Sequence, residues 1–284
     1  MMETTPDWLM LYYRPIQNRC TMAVPMQVKA NEITFNCEID GPDGAPWLIF
    51  SNSLATNLSM WDDQARVLSG SFRVLRYDQR GHGKTDAPRG YYSFPTLLAD
   101  VIALMDALKI VKAHICGLSL GGATALGLTE LFPDRIERAI VCDSGCASTP
   151  ASAKQWEERI AIARTKGMEA IAEPMLQRWF PPDFKSANPP VVNKVRDMIL
   201  TTPVDGFVGC CAALSDHDFR SAAGTVNKPV LFICGEKDGP NAAMRDLHKV
   251  VRESQFVEIP RAGHISNIEQ PEMFTRAVEK FLTS

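Results

Sequence analysis

The run His114-Ile115-Cys116-Gly117-Leu118-Ser119-Leu120-Gly121-Gly122 decides the reading of this chain. Ala113 to Cys116 is an apolar, strand-like stretch, and Leu120 to about Leu131 reads as a helix stopped near Pro133. Between them stands G-x-S-x-G. A sharp strand-to-helix turn forces its serine into a strained backbone conformation, while Gly117 and Gly121 leave room for the turn. The Ser119 hydroxyl then projects above the sheet edge, and the helix N-terminus beneath it favours developing negative charge. Gly122, Ala123, Ala125 and Gly127 suit close helix–sheet contact. They suit equally a Gly/Ser turn that only packs a helix.

Outward from this turn, strand and helix signals alternate. Gln27–Ala30 and Ile33–Asp40 read as a hairpin joined at Asn31-Glu32, and Trp47–Phe50 and Phe72–Tyr77 as strands with a helix over Trp61–Leu68 between them. Ser93 with Pro95 opens a helix over about 95–108, whose Leu97, Leu98, Val101, Ile102, Met105 and Leu108 share one face. Ile136–Cys142, Pro229–Cys234 and Phe256–Ile259 are further strands. Helices follow over about 242–251 and from Pro271 onward. Such alternation implies a mostly parallel, about eight-stranded sheet covered on both sides. Residues 143–227 break the rhythm with helical patterns at 154–166, 168–178, 190–200 and 204–214, so they are expected to form an inserted helical cap. The expected division is an α/β core from 26–142 and 228–284, a cap from 143–227, and a loosely ordered extension over 1–25.

A serine at its ordinary pKa is a poor nucleophile; it needs a base, and the base needs an orienting carboxylate. On a turn of this kind the acid and then the histidine follow later in the chain. Glu236-Lys237-Asp238 sits just after one strand and Gly263-His264 just after the next, so Asp238 and His264 emerge at the same sheet edge as Ser119. Glu236 is the rival acid. Among the other histidines, His82, in the loop Arg80-Gly81-His82-Gly83, is the second choice of base; His114 lies in a strand, His217 in the cap and His248 in a helix.

Composition narrows the function classes. The 284 residues are 45% hydrophobic and 22% charged, with 30 basic against 33 acidic residues and a net charge of −3. No strong field draws the protein to nucleic acid or an anionic membrane. No apolar run reaches the roughly 18 residues that span a bilayer. The eight cysteines show neither a disulfide framework nor zinc spacing. The expectation is reduced thiols, a cytoplasmic protein, no metal and no cofactor.

With these residues in view, the chain resembles the α/β-hydrolase superfamily over about residues 26–284, and within it the 3-oxoadipate enol-lactonases of aromatic catabolism. The resemblance rests on Ser51-Asn52-Ser53-Leu54, on Leu75-Arg76-Tyr77-Asp78-Gln79-Arg80-Gly81-His82-Gly83, and in the cap on Arg178-Trp179-Phe180 and Gly206-Phe207-Val208-Gly209-Cys210-Cys211-Ala212-Ala213-Leu214. Ala55 stands where many enol-lactonases have glycine, and Leu120 where methionine is frequent. The resemblance implies an α/β-hydrolase fold and a serine hydrolase that opens a small lactone or ester with the triad Ser119, Asp238 and His264. It also implies an oxyanion hole made by backbone N–H groups. One is Leu120, directly after the nucleophile. Asn52 and Ser53 fall where the family usually has His-Gly, which makes Leu54 the second donor, or Ser53 if the register slips by one.

Cap residues Arg178 and Trp179 are candidates for substrate contact, because an arginine fork matches a carboxylate; a surface arginine beside a core tryptophan is the alternative. Trp156 and Ser53 join them as candidates. A carboxylesterase or acyl-homoserine lactonase with the same triad, a C–C bond hydrolase, and a non-catalytic ligand sensor on the same fold stay open as alternatives. A dehalogenase or epoxide hydrolase would have Asp in place of Ser119. A metal-dependent lactonase would need a His-x-His-x-Asp-His cluster. A monomer and a small homo-oligomer fit equally.

Overall fold

The computed structural model describes residues 24–284. Most of the extension expected over 1–25, Cys20 included, lies outside them. Val24 and Pro25 already belong to the first strand, where they pair with Ile39 and Glu38.

Eight strands form one sheet in the order β1-β2-β4-β3-β5-β6-β7-β8. The hairpin β1 (Val24–Ala30) and β2 (Ile33–Asp40) turns at Asn31 and Glu32, both at positive φ. It enters the sheet by antiparallel pairing of β2 with β4 (Arg73–Tyr77). From there every pairing is parallel: β3 (Trp47–Ser51), β5 (Ala113–Leu118), β6 (Ile136–Cys142), β7 (Val230–Gly235) and β8 (Ser254–Ile259). Every residue of β5 and β7 is buried, so both sheet faces are covered, which is why these strands read as continuous apolar runs.

The covering helices of the core are α1 (Asp62–Leu68), α2 (Phe94–Ala107), α3 (Leu120–Leu131), α10 (Asn241–Val250), α11 (Ser266–Glu269) and α12 (Pro271–Thr283). The Ser93 hydroxyl accepts from the Thr96 N–H to start α2, with Pro95 in its first turn. Trp61 begins not an α-helix but the end of a 3-10 turn, Leu58–Trp61, capped by Asn57. Its indole stacks on Phe50 with ring centroids 4.6 Å apart.

Six helices separate β6 from β7: α4 (Pro150–Lys166), α5 (Glu169–Trp179), α6 (Pro182–Ala187), α7 (Pro189–Thr201), α8 (Val204–Asp216) and α9 (Ala222–Thr225). Helix α4 begins four residues before the expected start, because Thr149 and Ser152 cap each other's backbone and Pro150 occupies the first turn. The short α6 and α9 have no counterpart in the expected pattern. Helix α6 buries none of its residues, so it carries no apolar stripe to read. Among the described residues no single helix is long and apolar enough to cross a membrane.

This topology places the chemistry. Strands β3, β5, β6, β7 and β8 run parallel, so the segments that follow them all leave from one edge of the sheet.

Candidate active site

Ser119 occupies the single residue between β5 and α3, at φ +58° and ψ −112°. A left-handed conformation costs a non-glycine residue about 1–2 kcal/mol. Surrounding hydrogen bonds over-determine it. The Ser119 N–H donates to the Cys142 carbonyl at 2.8 Å, and its carbonyl accepts from the Ala123 N–H and the Ser144 hydroxyl, each at 2.9 Å. The turn needs its glycines for lack of space: a Cβ on Gly117 would overlap the Gly121 carbonyl, and one on Gly121 would overlap that of Ser51.

The Ser119 hydroxyl lies 3.0 Å from His264 Nε2. On the other side of the ring, Nδ1 lies 3.0 Å from both carboxylate oxygens of Asp238. With the proton on Nδ1, the ring donates to Asp238 and accepts from the serine. His264 is 5% exposed, and the Gly239 N–H holds Asp238 Oδ1 at 2.8 Å. The chain brings together from three strand ends the three side chains read from the sequence. Glu236, the rival acid, is engaged elsewhere: it accepts from the Arg261 N–H at 2.7 Å and so fixes the loop that carries the histidine.

Two buried carboxyl groups near the histidine were not anticipated. Glu269 takes the Gly263 N–H on both oxygens at 2.9 Å, one residue before His264, and burial pushes its pKa up to about 7. Asp143, the residue after β6, accepts from the Gly235 N–H at 2.7 Å and pairs with the Ser266 hydroxyl. Burial first, and the charge of Asp238 second, raise its pKa well above the ordinary range. Asp143, Cys234 and Asp238 have ligand-type atoms within 4.8 Å of one another. The carboxylates of this group are already satisfied by His264, Gly235 and Ser266, so the hydrogen bonds account for the cluster without an ion.

The Leu54 and Leu120 N–H groups make no hydrogen bond among the described residues, and Leu54 lines the same cavity as Ser119. Ser53 does not fit the alternative register: its N–H is directed at the Met60 sulfur at 3.4 Å. Nor does Ser53 line the cavity. It is fully buried, and its hydroxyl lacks a partner among the described residues.

The cavity has a volume of about 460 Å³, with Ser119 and His264 in its wall and helices α4 and α5 over it. Trp156, Arg178 and Trp179 line it. Trp179 also stacks on His264, with centroids 6.0 Å apart, and its carbonyl accepts the His264 N–H at 2.8 Å. Arg159 was missed by the sequence reading. It lies in the lining, with its guanidinium 4.3 Å from the centre of the Trp156 ring. The signal that would have found it is its spacing, three residues from Trp156 on one helix, which puts both on one face. Burial and the neighbouring Arg178 lower the Arg159 pKa to about 10, so it stays cationic at neutral pH. Neither arginine has a carboxylate partner among the described residues.

His82, the second choice of base, is fully buried, and its Nε2 accepts from the Ala55 N–H at 2.8 Å. It does not reach Ser119.

The chain's relatives share this arrangement of elements. A family profile for the alpha/beta hydrolase fold matches residues 46–271. The 3-oxoadipate enol-lactonase 2 of Acinetobacter baylyi is 37% identical over 254 residues, covering 88% of this chain and 93% of that one. The crystal structure of the enol-lactonase from Burkholderia xenovorans superposes with a TM-score of 0.88 at 41% identity, covering 91% of this chain and all of that one. A thermophilic esterase from Thermogutta terrifontis superposes with a TM-score of 0.85 at 28% identity, covering 92% and 98% of the two chains. With its serine turn, its strand order and relatives alike over nearly all of its length, the chain belongs to the alpha/beta hydrolase family.

Proposed function

We propose that this chain hydrolyses a small lactone or ester whose acyl part carries a carboxylate, through an acyl-enzyme on Ser119, and that its preferred substrate is an enol-lactone of the 3-oxoadipate type. The observation that carries the reading is the line of 3.0 Å contacts from Ser119 through His264 to Asp238, set in the wall of a cavity that also holds Arg159 and Arg178, neither of them paired with a carboxylate among the described residues. The resemblance to the enol-lactonases of Acinetobacter baylyi and Burkholderia xenovorans supports the same reading. The helices between β6 and β7 act as a cap that shapes the pocket.

Ser119 Oγ attacks the carbonyl carbon while its proton passes to His264 Nε2. Asp238 keeps the imidazole in the productive tautomer and stabilises the imidazolium. The Leu54 and Leu120 N–H groups receive the oxyanion; one such donor is typically worth about 3 kcal/mol. Collapse breaks the ring C–O bond, and His264 returns its proton to the leaving oxygen. In an enol-lactone that oxygen leaves as an enol, a good leaving group, which stays tethered to the acyl chain and becomes a ketone. Water, deprotonated by His264, then cleaves the Ser119 ester and releases the keto acid.

The test is kcat/KM over a panel of an enol-lactone with a free carboxylate, acyl-homoserine lactones and neutral 4-nitrophenyl esters, for the parent and Ser119→Ala. The enol-lactone is expected to be the fastest and Ser119→Ala inactive on all. An enol-lactone among the slowest substrates would refute the substrate assignment, and activity retained in Ser119→Ala would refute the mechanism.

A further inference from the structure

The segment that offers the Leu54 N–H is held from below by a histidine that the proposed mechanism does not use. Leu54 lies between two peptide planes. In the first, the Ser53 carbonyl accepts from the Thr56 N–H at 3.3 Å and the Thr56 hydroxyl at 2.8 Å. A trans peptide points its N–H opposite to its C=O, so this bond aims the Leu54 N–H away from Thr56. In the second plane, the Ala55 N–H donates to His82 Nε2 at 2.8 Å. Ala55 sits at φ +57°, a left-handed conformation that alanine adopts only rarely.

His82 is built to be an acceptor on that side. Its other ring nitrogen, Nδ1, lies 3.1 Å from the Arg80 carbonyl, which only accepts, so the ring proton resides on Nδ1 and the Nε2 lone pair faces Ala55. Burial keeps the ring neutral, with its pKa lowered to about 4. The Arg80 backbone is anchored in turn. Its guanidinium makes a two-point pair with Asp100, including an Nε contact at 2.8 Å, and reaches the Asn31 carbonyl at 3.1 Å. Arg80 and Asp100 are 8% and 2% exposed, so water does not compete for this pair.

We propose that His82 is a positioning residue for the oxyanion-binding loop: its Nε2 pins the Leu54–Ala55 peptide and thereby fixes the Leu54 N–H toward the reacting carbonyl. This rests on the reading of Ser119 and Leu54 given above. It assigns the Arg80-Gly81-His82 segment a part in transition-state binding rather than in proton transfer.

The experiment compares the parent with His82→Phe, His82→Gln and His82→Asn, on a 4-nitrophenyl ester and on inhibition by a boronic acid that forms a tetrahedral adduct on the serine. Phe fills the ring volume without an acceptor. Gln carries an amide oxygen to the place of Nε2, whereas Asn is too short to reach Ala55. Loss of one oxyanion donor outright costs about 10²–10³ in kcat, so a misaimed one is expected to cost about 10–100-fold. His82→Phe and His82→Asn are expected to lose that factor in kcat, with KM held within about threefold and boronate affinity weakened in parallel. His82→Gln is expected to recover most of the loss. The pH profile of kcat/KM is expected to keep its shape, because the Ser119–His264–Asp238 contacts are untouched. A loss expressed in KM, a kcat unaffected by Phe and Asn, or no recovery with Gln each overturns the proposal. If His82→Phe fails to fold, the Gln–Asn comparison carries the test alone. Parent turnover that persists in Ser119→Ala would instead mark failure of the underlying reading.

Discussion

At the cavity wall, Arg159 is the residue whose chemistry bears most directly on the proposed carboxylate-bearing substrate. Its charge lies over the Trp156 ring and beside Arg178, half-buried, and among the described residues no carboxylate pairs with it directly, Glu158 acting on it only at longer range. A cation in that position is costly unless a ligand supplies the counter-charge. A charge-assisted hydrogen bond to a carboxylate is worth about 1.5–3 kcal/mol. Arg159→Met, which keeps the volume over Trp156 and removes the charge, is therefore expected to lower kcat/KM about 10–100-fold for the 4-nitrophenyl half-ester of a dicarboxylic acid. For the matching neutral ester it should stay within about threefold. Equal losses on both esters would mean that Arg159 serves packing alone. Two residues separate what could be read here from what could not. His264 was legible because its position after a strand and its order in the chain both follow from the serine turn. The work of His82 was not, because its partner Ala55 is 27 positions away and joined to it only by the fold.

Among the elements, legibility followed periodicity. Strands β5 and β7 are buried along their whole length, so their apolar runs were plain in the sequence. Helices α2 and α12 announce themselves by Pro in the first turn and a one-sided apolar face. Helix α4 is the instructive case. It buries only Ile160 and Ala163, so the apolar signal begins late, and its true start is set by the Thr149–Ser152 cap. The same thin apolar stripe leaves Trp156 and Arg159 free to face the cavity. Helix α5 does two jobs that no sequence pattern displays. Its last residue, Trp179, stacks on His264 and accepts the His264 backbone N–H at 2.8 Å. The helices over the cavity are thus tied directly to the proposed base.

For the whole molecule, the buried acids and histidines at the sheet edge set opposing pH dependences of stability. Glu269 has a pKa raised from 4.5 to about 7, chiefly by burial, opposed by the Gly263 and Ile265 backbone bonds and Lys237 and reinforced by Asp238. Its contribution to stability is complete below about pH 4.5 and is lost as pH rises through about 7. His82, lowered from 6.5 to about 4, acts in the other direction: its contribution is present above about pH 6.5 and is lost as pH falls through about 4. Glu269→Gln removes the first titration only. The difference in melting temperature between Glu269→Gln and the parent should therefore grow more favourable to the variant between pH 5 and pH 8; a difference independent of pH would contradict the assignment. The proposed hydrolysis depends on covalent capture of the acyl group by Ser119. Rapid quenching of the parent with excess 4-nitrophenyl acetate, followed by mass spectrometry of the proteolysed chain, measures this directly. An acetyl group on the peptide containing Ser119, formed as fast as the first turnover and absent in Ser119→Ala, is the predicted result. A chain that turns over at full rate with no acetyl group on that peptide, or with the group on another residue, would contradict it.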